Sequence, residues 1–328
     1  MRKHSEVRER SVRGQRFSGR VRFAPATISC MLLAFAALEP LAAQERRIQE
    51  KVAANPDVMV RIHNMVGSVR VRAWDRDSIA VTGTVFETRL DRFEIHSAGA
   101  GAKLGIWDTS SEGLGPSRLE IMVPLESTVW IKTASATIDV AGVRGGLDVY
   151  SVSGDINITG APREIYAESM GGKITLAADL RSARIKTGSG AITMSGVLID
   201  VTATTVSGNV DIDGDGIQRG RVESVDGRIR WQGAFAPRAS LDFTSHAGPI
   251  ELSLHPDASA DFTVNTFEGG LDDQWGLRVQ QGGSKLKGRE LRFKIGAGTA
   301  TVLVRTFKAT VTIRRAAVQT LSLPPSSY

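Results

Sequence analysis

Three carboxylates at alternate positions, Asp211, Asp213 and Asp215, followed by Gly216, match the first half of a calcium loop. In such loops, oxygen ligands from alternate positions wrap a hard cation before a glycine turn. Counted from Asp211, the twelfth position is Val222 where a bidentate Glu belongs, and Glu223 comes one residue late. The plainer reading puts Asp211 and Asp213 on an outward strand face and Asp215-Gly216 in a turn. Calcium on these three residues is a weak candidate, and no metal is assigned.

Other reactive side chains form no recognisable constellation. His63, His96, His246 and His255 are scattered, with no His-x-x-x-His or Cys/His cluster, and are expected on outer faces or loops. A glycosidase needs two carboxyls about 5–9.5 Å apart. The best pair, Glu168 and Glu223, is separated by three repeat units of about 4.8 Å each. Outward positions in neighbouring units are mixed: Asp148, Glu168, Lys186, Thr204, Glu223 and Thr244. No Ser/His/Asp order and no phosphate-cradling glycine loop stands out. No catalytic residue and no cofactor is expected.

What would position any such residues is a repeat. A small residue recurs at Ala136, Gly154, Gly172, Gly190, Gly208, Gly227, Gly248 and Gly269, at steps of 18, 18, 18, 18, 19, 21 and 21. Five residues before each lies an apolar side chain, as in Ile131, Val149 and Ile185. Two and four residues after, apolar pairs such as Ile138/Val140, Ile156/Ile158 and Ile174/Leu176 follow, until the pattern fails after Gly269. Alternation at period two marks strands with one buried face, and a fixed period near 20 marks stacked repeats.

One unit has too few inward apolar side chains to offset the entropy of ordering its backbone, so units must share cores and ladders. The glycines are expected to supply positive φ at the corner between two strands. The predicted fold is all-β, a parallel β-solenoid of two-strand, 18–21-residue repeats. An antiparallel β-sandwich of hairpins is the alternative. Stacked coils explain better why one side chain keeps one offset eight times.

Residues 44–57 read as a polar lead-in and 58–315 as a single β-repeat domain. Within it, 84–128 reads as an irregular insert, 129–269 as the regular array and 291–315 as closing strands. Residues 316–328 read as a disordered tail. Residues 1–43 read as a signal peptide: a basic segment ends at Arg22, Phe23 to Leu38 carries no charge, and Leu41-Ala42-Ala43 offers a cleavage site before Gln44. That apolar run is short for a membrane span of about 20 residues, so no span is expected after cleavage. An uncleaved anchor and lipidation at Cys30, the only cysteine, are the lesser alternatives.

The formal charge is +6, but the leader holds eight basic residues against three acidic. The rest has 33 basic and 32 acidic, a net of +1. Such a body lacks the concentrated basic face that nucleic acid requires.

Three features resemble the Toastrack-type adhesin-like domain, an all-β family of unknown function found in bacterial envelope proteins. They are Asn64-Met-Val-Gly-Ser-Val-Arg-Val-Arg-Ala-Trp-Asp75, Leu119-Glu-Ile-Met-Val-Pro124 running into Val129-Trp-Ile-Lys-Thr133, and the Ser-Gly-x-Ile-x-Ile series. The resemblance spans about 58–315 and implies a fold and an envelope setting, with no catalytic residue. The expectation is an exported, non-enzymatic, adhesin-like binding or scaffold protein in the periplasm or on the outer surface, with an envelope protein or surface glycan as partner. An envelope-stress sensing module and a polysaccharide lyase or hydrolase are the alternatives.

Overall fold

A computed structural model describes residues 44–87, 92–98, 101–107, 115–278, 280–282 and 289–316. The expected signal peptide with Cys30, and all of the expected 316–328 tail except residue 316, lie outside the described residues. Chain order begins with β1 (Gln44–Ala53), β2 (Met59–His63), β3 (Gly67–Trp74), β4 (Ser78–Glu87), β5 (Phe93–Ala98), β6 (Gly101–Ile106) and β7 (Ser117–Pro124). The array supplies β8 (Thr128–Lys132), β9 (Thr137–Ala141), β10 (Gly146–Ser151), β11 (Ile156–Gly160), β12 (Glu164–Ser169), β13 (Ile174–Ala178) and β14 (Leu180–Thr187). It continues through β15 (Ile192–Thr205), β16 (Val210–Asp215), β17 (Ile217–Ser224), β18 (Ile229–Gly233), β19 (Phe235–Ser245) and β20 (Ile250–Leu254). Last come β21 (Ala260–Thr266), β22 (Leu271–Asp273), β23 (Gln280–Gly282), β24 (Arg289–Ile295), β25 (Ala300–Thr306) and β26 (Val311–Arg315). Among the described residues there is no helix.

Each coil gives one strand to each of two parallel sheets. In space, sheet I runs β5-β6-β2-β8-β10-β12-β14-β15-β17-β19-β25-β21-β24-β23. Sheet II runs β1-β4-β7-β3-β9-β11-β13-β15-β16-β18-β20-β26-β22. Strand β15 turns the corner and serves both. The fold is therefore all-β and solenoid-like, as the spacing predicts. Antiparallel pairing is confined to the two ends.

The core consists of columns. Ile138, Ile156, Ile174, Ile192, Val210, Ile229, Ile250 and Val311 are successive partners in sheet II, each with no exposed surface. Ile131, Val149, Ala167, Ile185, Ala203, Val222 and Phe243 form the facing column in sheet I. Where the coils lengthen past Gly227, buried Trp231, Phe243 and Phe262 fill the interior, with Phe235 stacked 4.5 Å from Trp231.

Two segments differ from expectation. The polar lead-in forms β1, an edge strand antiparallel to β4. Among residues 45–53 only Ile48 is buried, while Glu45, Arg46, Arg47, Gln49 and Lys51 are exposed; charged side chains on an edge discourage pairing with another chain. The 84–128 insert breaks the sequence period but not the stack, because β6 and β7 make a coil in register with β2 and β3.

At both ends spatial order departs from chain order. The β6–β7 coil lies outside the earlier β2–β3 coil, which contacts β8–β9 directly. The last coil, β25–β26, lies between β19–β20 and β21–β22.

The corner glycines are needed for a different reason from the one the sequence implies. None of Gly154 to Gly269 in that column has positive φ; those values occur at the opposite corner, as at Gly160 (φ 120°) and Gly196 (φ 122°). At the column each coil rests on the carbonyl below. A Cβ on Gly172 would lie 2.1 Å from the Gly154 oxygen, and one on Gly190 would lie 2.0 Å from the Gly172 oxygen. The two alanines of the column, Ala136 and Ala309, belong to coils stacked on a coil distant in sequence.

Three residues before each column position sits a buried hydroxyl: Thr133, Ser151, Ser169, Thr187, Thr205, Ser224, Ser245, Thr266 and Thr306. Several accept the glycine N–H, as Ser169 Oγ does from Gly172 and Thr187 Oγ1 from Gly190, both at 2.9 Å.

Candidate functional site

With inward positions consumed by the core, chemistry is confined to outward positions and corners. On sheet I these form two columns. One runs His96, Lys103, Arg61, Trp130, Asp148, Tyr166 and Arg184; the other includes Lys132, Tyr150, Glu168, Lys186, Thr204 and Glu223. Asp148 thus shares a column with Tyr166, and the neighbour of Glu168 is Tyr150.

Three aromatic rings gather on β8, β10 and β12. Trp130 and Tyr150 have centroids 6.0 Å apart, and Tyr150 and Tyr166 5.4 Å apart, at tilts of 47° and 38°. All three side chains are half-buried. The Tyr166 hydroxyl donates to Glu168 Oε2 at 2.5 Å, and Lys186 Nζ lies 5.8 Å from the Tyr166 ring centroid. The hydrogen bond to Glu168, then burial, push the Tyr166 pKa up to about 12. Burial, then the Asp148 and Glu168 charges, raise that of Tyr150. Burial, then the Glu164 carboxylate, raise that of Asp148. Perturbed groups clustered on one face mark a candidate site.

Along the same face, towards the C-terminal coils, lies an open groove of about 760 Å3. Its floor includes Thr204, Glu223, Thr244, Asn265 and Arg305, and its wall is the corner two residues before the glycine column. There His246, Phe307 and Phe267 stack at 5.0 and 4.6 Å, nearly parallel. The corner continues with apolar Val225 and Val206 and, past Gly188, with Met170 and Val152. Six of the nine exposed large hydrophobic side chains of the described residues lie on it. Backbone bonds bind the corner from coil to coil, as Gly171 N to Val152 O at 2.8 Å and Ala247 N to Val225 O at 2.7 Å.

The three calcium candidates point into ordinary structure. Asp211 pairs with Arg228 at 3.0 Å and Arg230 at 3.1 Å. Asp213 is exposed on β16. Asp215 accepts the Ala234 N–H of the next coil at 2.8 Å. Alternate residues of an extended strand are about 7 Å apart, so the three are spread out, not wrapped, and no metal-holding cluster is present among the described residues. Glu168 and Glu223 are three coils apart in register, about 14 Å. His63 occupies an outward position yet is buried: Trp107 stacks over it at 5.2 Å, and Nδ1 sits 2.6 Å from the Ile106 carbonyl. His96 and His255 are exposed beside Glu94 and Asp257. Trp130, Tyr150 and Tyr166 were missed by sequence reasoning, although their offsets of six or four residues before the small-residue column mark them as outward.

The molecule is of the β-solenoid class, with capped ends and a continuous outward face carrying aromatic, charged and apolar features. More specifically, the chain belongs to the Toastrack family of domains of unknown function: the Toastrack DUF4097 family model matches residues 147–314. No curated protein matches the chain. Among solved structures it is similar to one from Bacteroides fragilis described as a "putative adhesin", at 10% identity and TM-score 0.42, covering 82% of this chain and 97% of that one. Another, described as a "putative cell adhesion protein" from Clostridium sporogenes, aligns at 9% identity and TM-score 0.23, covering 83% of this chain and 100% of that one. Neither score is high enough to equate the folds.

Proposed function

We propose that this protein is an exported, non-enzymatic, adhesin-like binding protein of the bacterial envelope. Its partner, a surface glycan or an extended segment of an envelope protein, lies along the outer face of sheet I. The observation that carries this reading is the concentration of exposed apolar side chains on the corner beside that face, since exposed apolar patches mark interaction sites. The corner is one side chain wide. A standard protein interface buries roughly 800 Å2 per partner, so the corner suits a narrow, extended ligand better than a globular one.

Support for a non-catalytic role comes from the separation of Glu168 and Glu223 and from the ion pairs that occupy outward acids, such as Arg305 with Asp242 at 2.5 Å. Support for export comes from the leader and the family resemblance. Cell fractionation with N-terminal sequencing tests export: the mature chain should begin at Gln44 in an envelope or external fraction. Purified protein should co-sediment with isolated envelopes, and Phe267→Ser with Phe307→Ser should release it. Recovery only from the cytosol, or envelope retention indifferent to both substitutions, would overturn the reading.

A further inference from the structure

We infer that the N-terminal end of the same face is a binding site for an acidic polysaccharide: a pyranose chain bearing carboxylate or phosphate. This rests on the proposed glycan-binding reading and names the ligand's chemistry.

His96, Lys103 and Arg61 are successive register partners on β5, β6 and β2, and Trp130 follows Arg61 directly on β8. The four span three strand spacings, about 14 Å. His96, Lys103 and Arg61 are exposed and line a depression of about 430 Å3 whose lining contains no carboxylate. None of the ion pairs among the described residues involves Arg61 or Lys103. Some other outward arginines of sheet I are paired, as Arg221 is with Glu223 at 2.7 Å, whereas Arg184, further along the same column, is in none of these pairs.

Two cations in register that form no ion pair, Arg61 and Lys103, are complementary to anionic groups at one end of the ligand, and the carboxylates of Asp148 and Glu168 further along confine the acidic units to that end. The neighbouring strands β8, β10 and β12 are complementary to a sugar: the splayed rings of Trp130, Tyr150 and Tyr166 offer apolar surface for the C–H faces of a pyranose. Asp148 and Glu168 offer acceptors for its hydroxyls. A pyranose unit is comparable in length to one strand spacing of about 4.8 Å, so successive sugars would meet successive coils. A carboxylate or phosphate seated on Arg61 and Lys103 therefore brings the next ring to Trp130.

The test is isothermal titration of the full chain with three probes: oligogalacturonate, its methyl ester, and phosphomannan oligomers. An acidic probe should bind and the neutral ester should bind at least about tenfold more weakly, the loss expected for one charged contact. Preference between the two acidic probes identifies carboxylate or phosphate as the group recognised. Arg61→Ala and Lys103→Ala, at exposed positions where folding is preserved, should each weaken binding by about tenfold, and Trp130→Ala should do the same through lost ring contact. Equal affinity for acid and ester, or wild-type affinity in both charge variants, overturns the inference. If neither acidic probe binds while envelopes still retain the chain through Phe267 and Phe307, the inference fails and the broader reading stands. Acidic probes bound through Arg61 by a chain that envelopes do not retain would sink the broader reading alone.

Discussion

Replacing Gly172 by alanine places a methyl carbon 2.1 Å from the Gly154 carbonyl oxygen, whereas the same change at Gly171 meets nothing nearer than 3.8 Å. The two glycines are neighbours and neither has positive φ, so the pair isolates space from backbone conformation. Relief at Gly172 requires the coils to part locally by roughly 1 Å, and overpacking of this kind costs about 1–3 kcal/mol. Parting also stretches two coil-to-coil bonds that flank the site, Gly171 N to Val152 O and Lys173 N to Asp155 Oδ1, each 2.8 Å. Each contributes about 0.5–1.5 kcal/mol. The expected loss for Gly172→Ala is therefore about 3 kcal/mol or more. At about 2–4 °C per kcal/mol for a body of this size, the midpoint should fall by about 6–12 °C. Gly171→Ala should be neutral or raise stability by about 0.4–1 kcal/mol, through reduced freedom of the unfolded chain. Urea unfolding and thermal scans of the two variants side by side provide the assay. Equal stabilities, or a less stable Gly171→Ala, would refute the claim that the column exists to let coils approach.

Thr187→Val keeps shape but removes the acceptor for the Gly190 N–H; leaving that buried donor unpaired should cost about 1–3 kcal/mol, measured by urea unfolding. Trp231→Ala should cost about 3–5 kcal/mol. Trp231→Phe should cost less, because the buried indole nitrogen has no hydrogen-bond partner to lose, and thermal unfolding ranks the two. Spectrophotometric titration should find one tyrosine ionising near pH 12 and Glu168→Gln moving it down towards the ordinary value. Because the folded-state pKa of Tyr166 is raised, its contribution to stability is complete below about pH 10 and is lost as pH rises through 12.

The core was legible because it depends on alternation, which a sequence displays directly. Ile138, Ile156, Ile174 and Ile192 could be stacked from spacing alone. The glycine column was legible as a position but not as a cause, since absence of a side chain does not distinguish a need for unusual φ from a need for room. β1 escaped notice because an edge strand buries little, leaving Ile48 as its only buried hydrophobic side chain. The exchanged order of coils at each end was invisible for another reason: β8 and β9 present the same apolar face to β2 and β3 as they would to β6 and β7. The outward aromatics carry no period, so nothing in the repeat drew them together until register was known.

Interleaving the final coil has a consequence for biosynthesis. Strands β21 and β22 leave the ribosome before β25 and β26, yet β25 and β26 occupy the place between them and the completed array. The penultimate coil must wait unseated until the last strands are made, and a product broken off before residue 300 presents an unfinished end. A chain that lacks these last strands leaves β21 and β22 without their parallel neighbours.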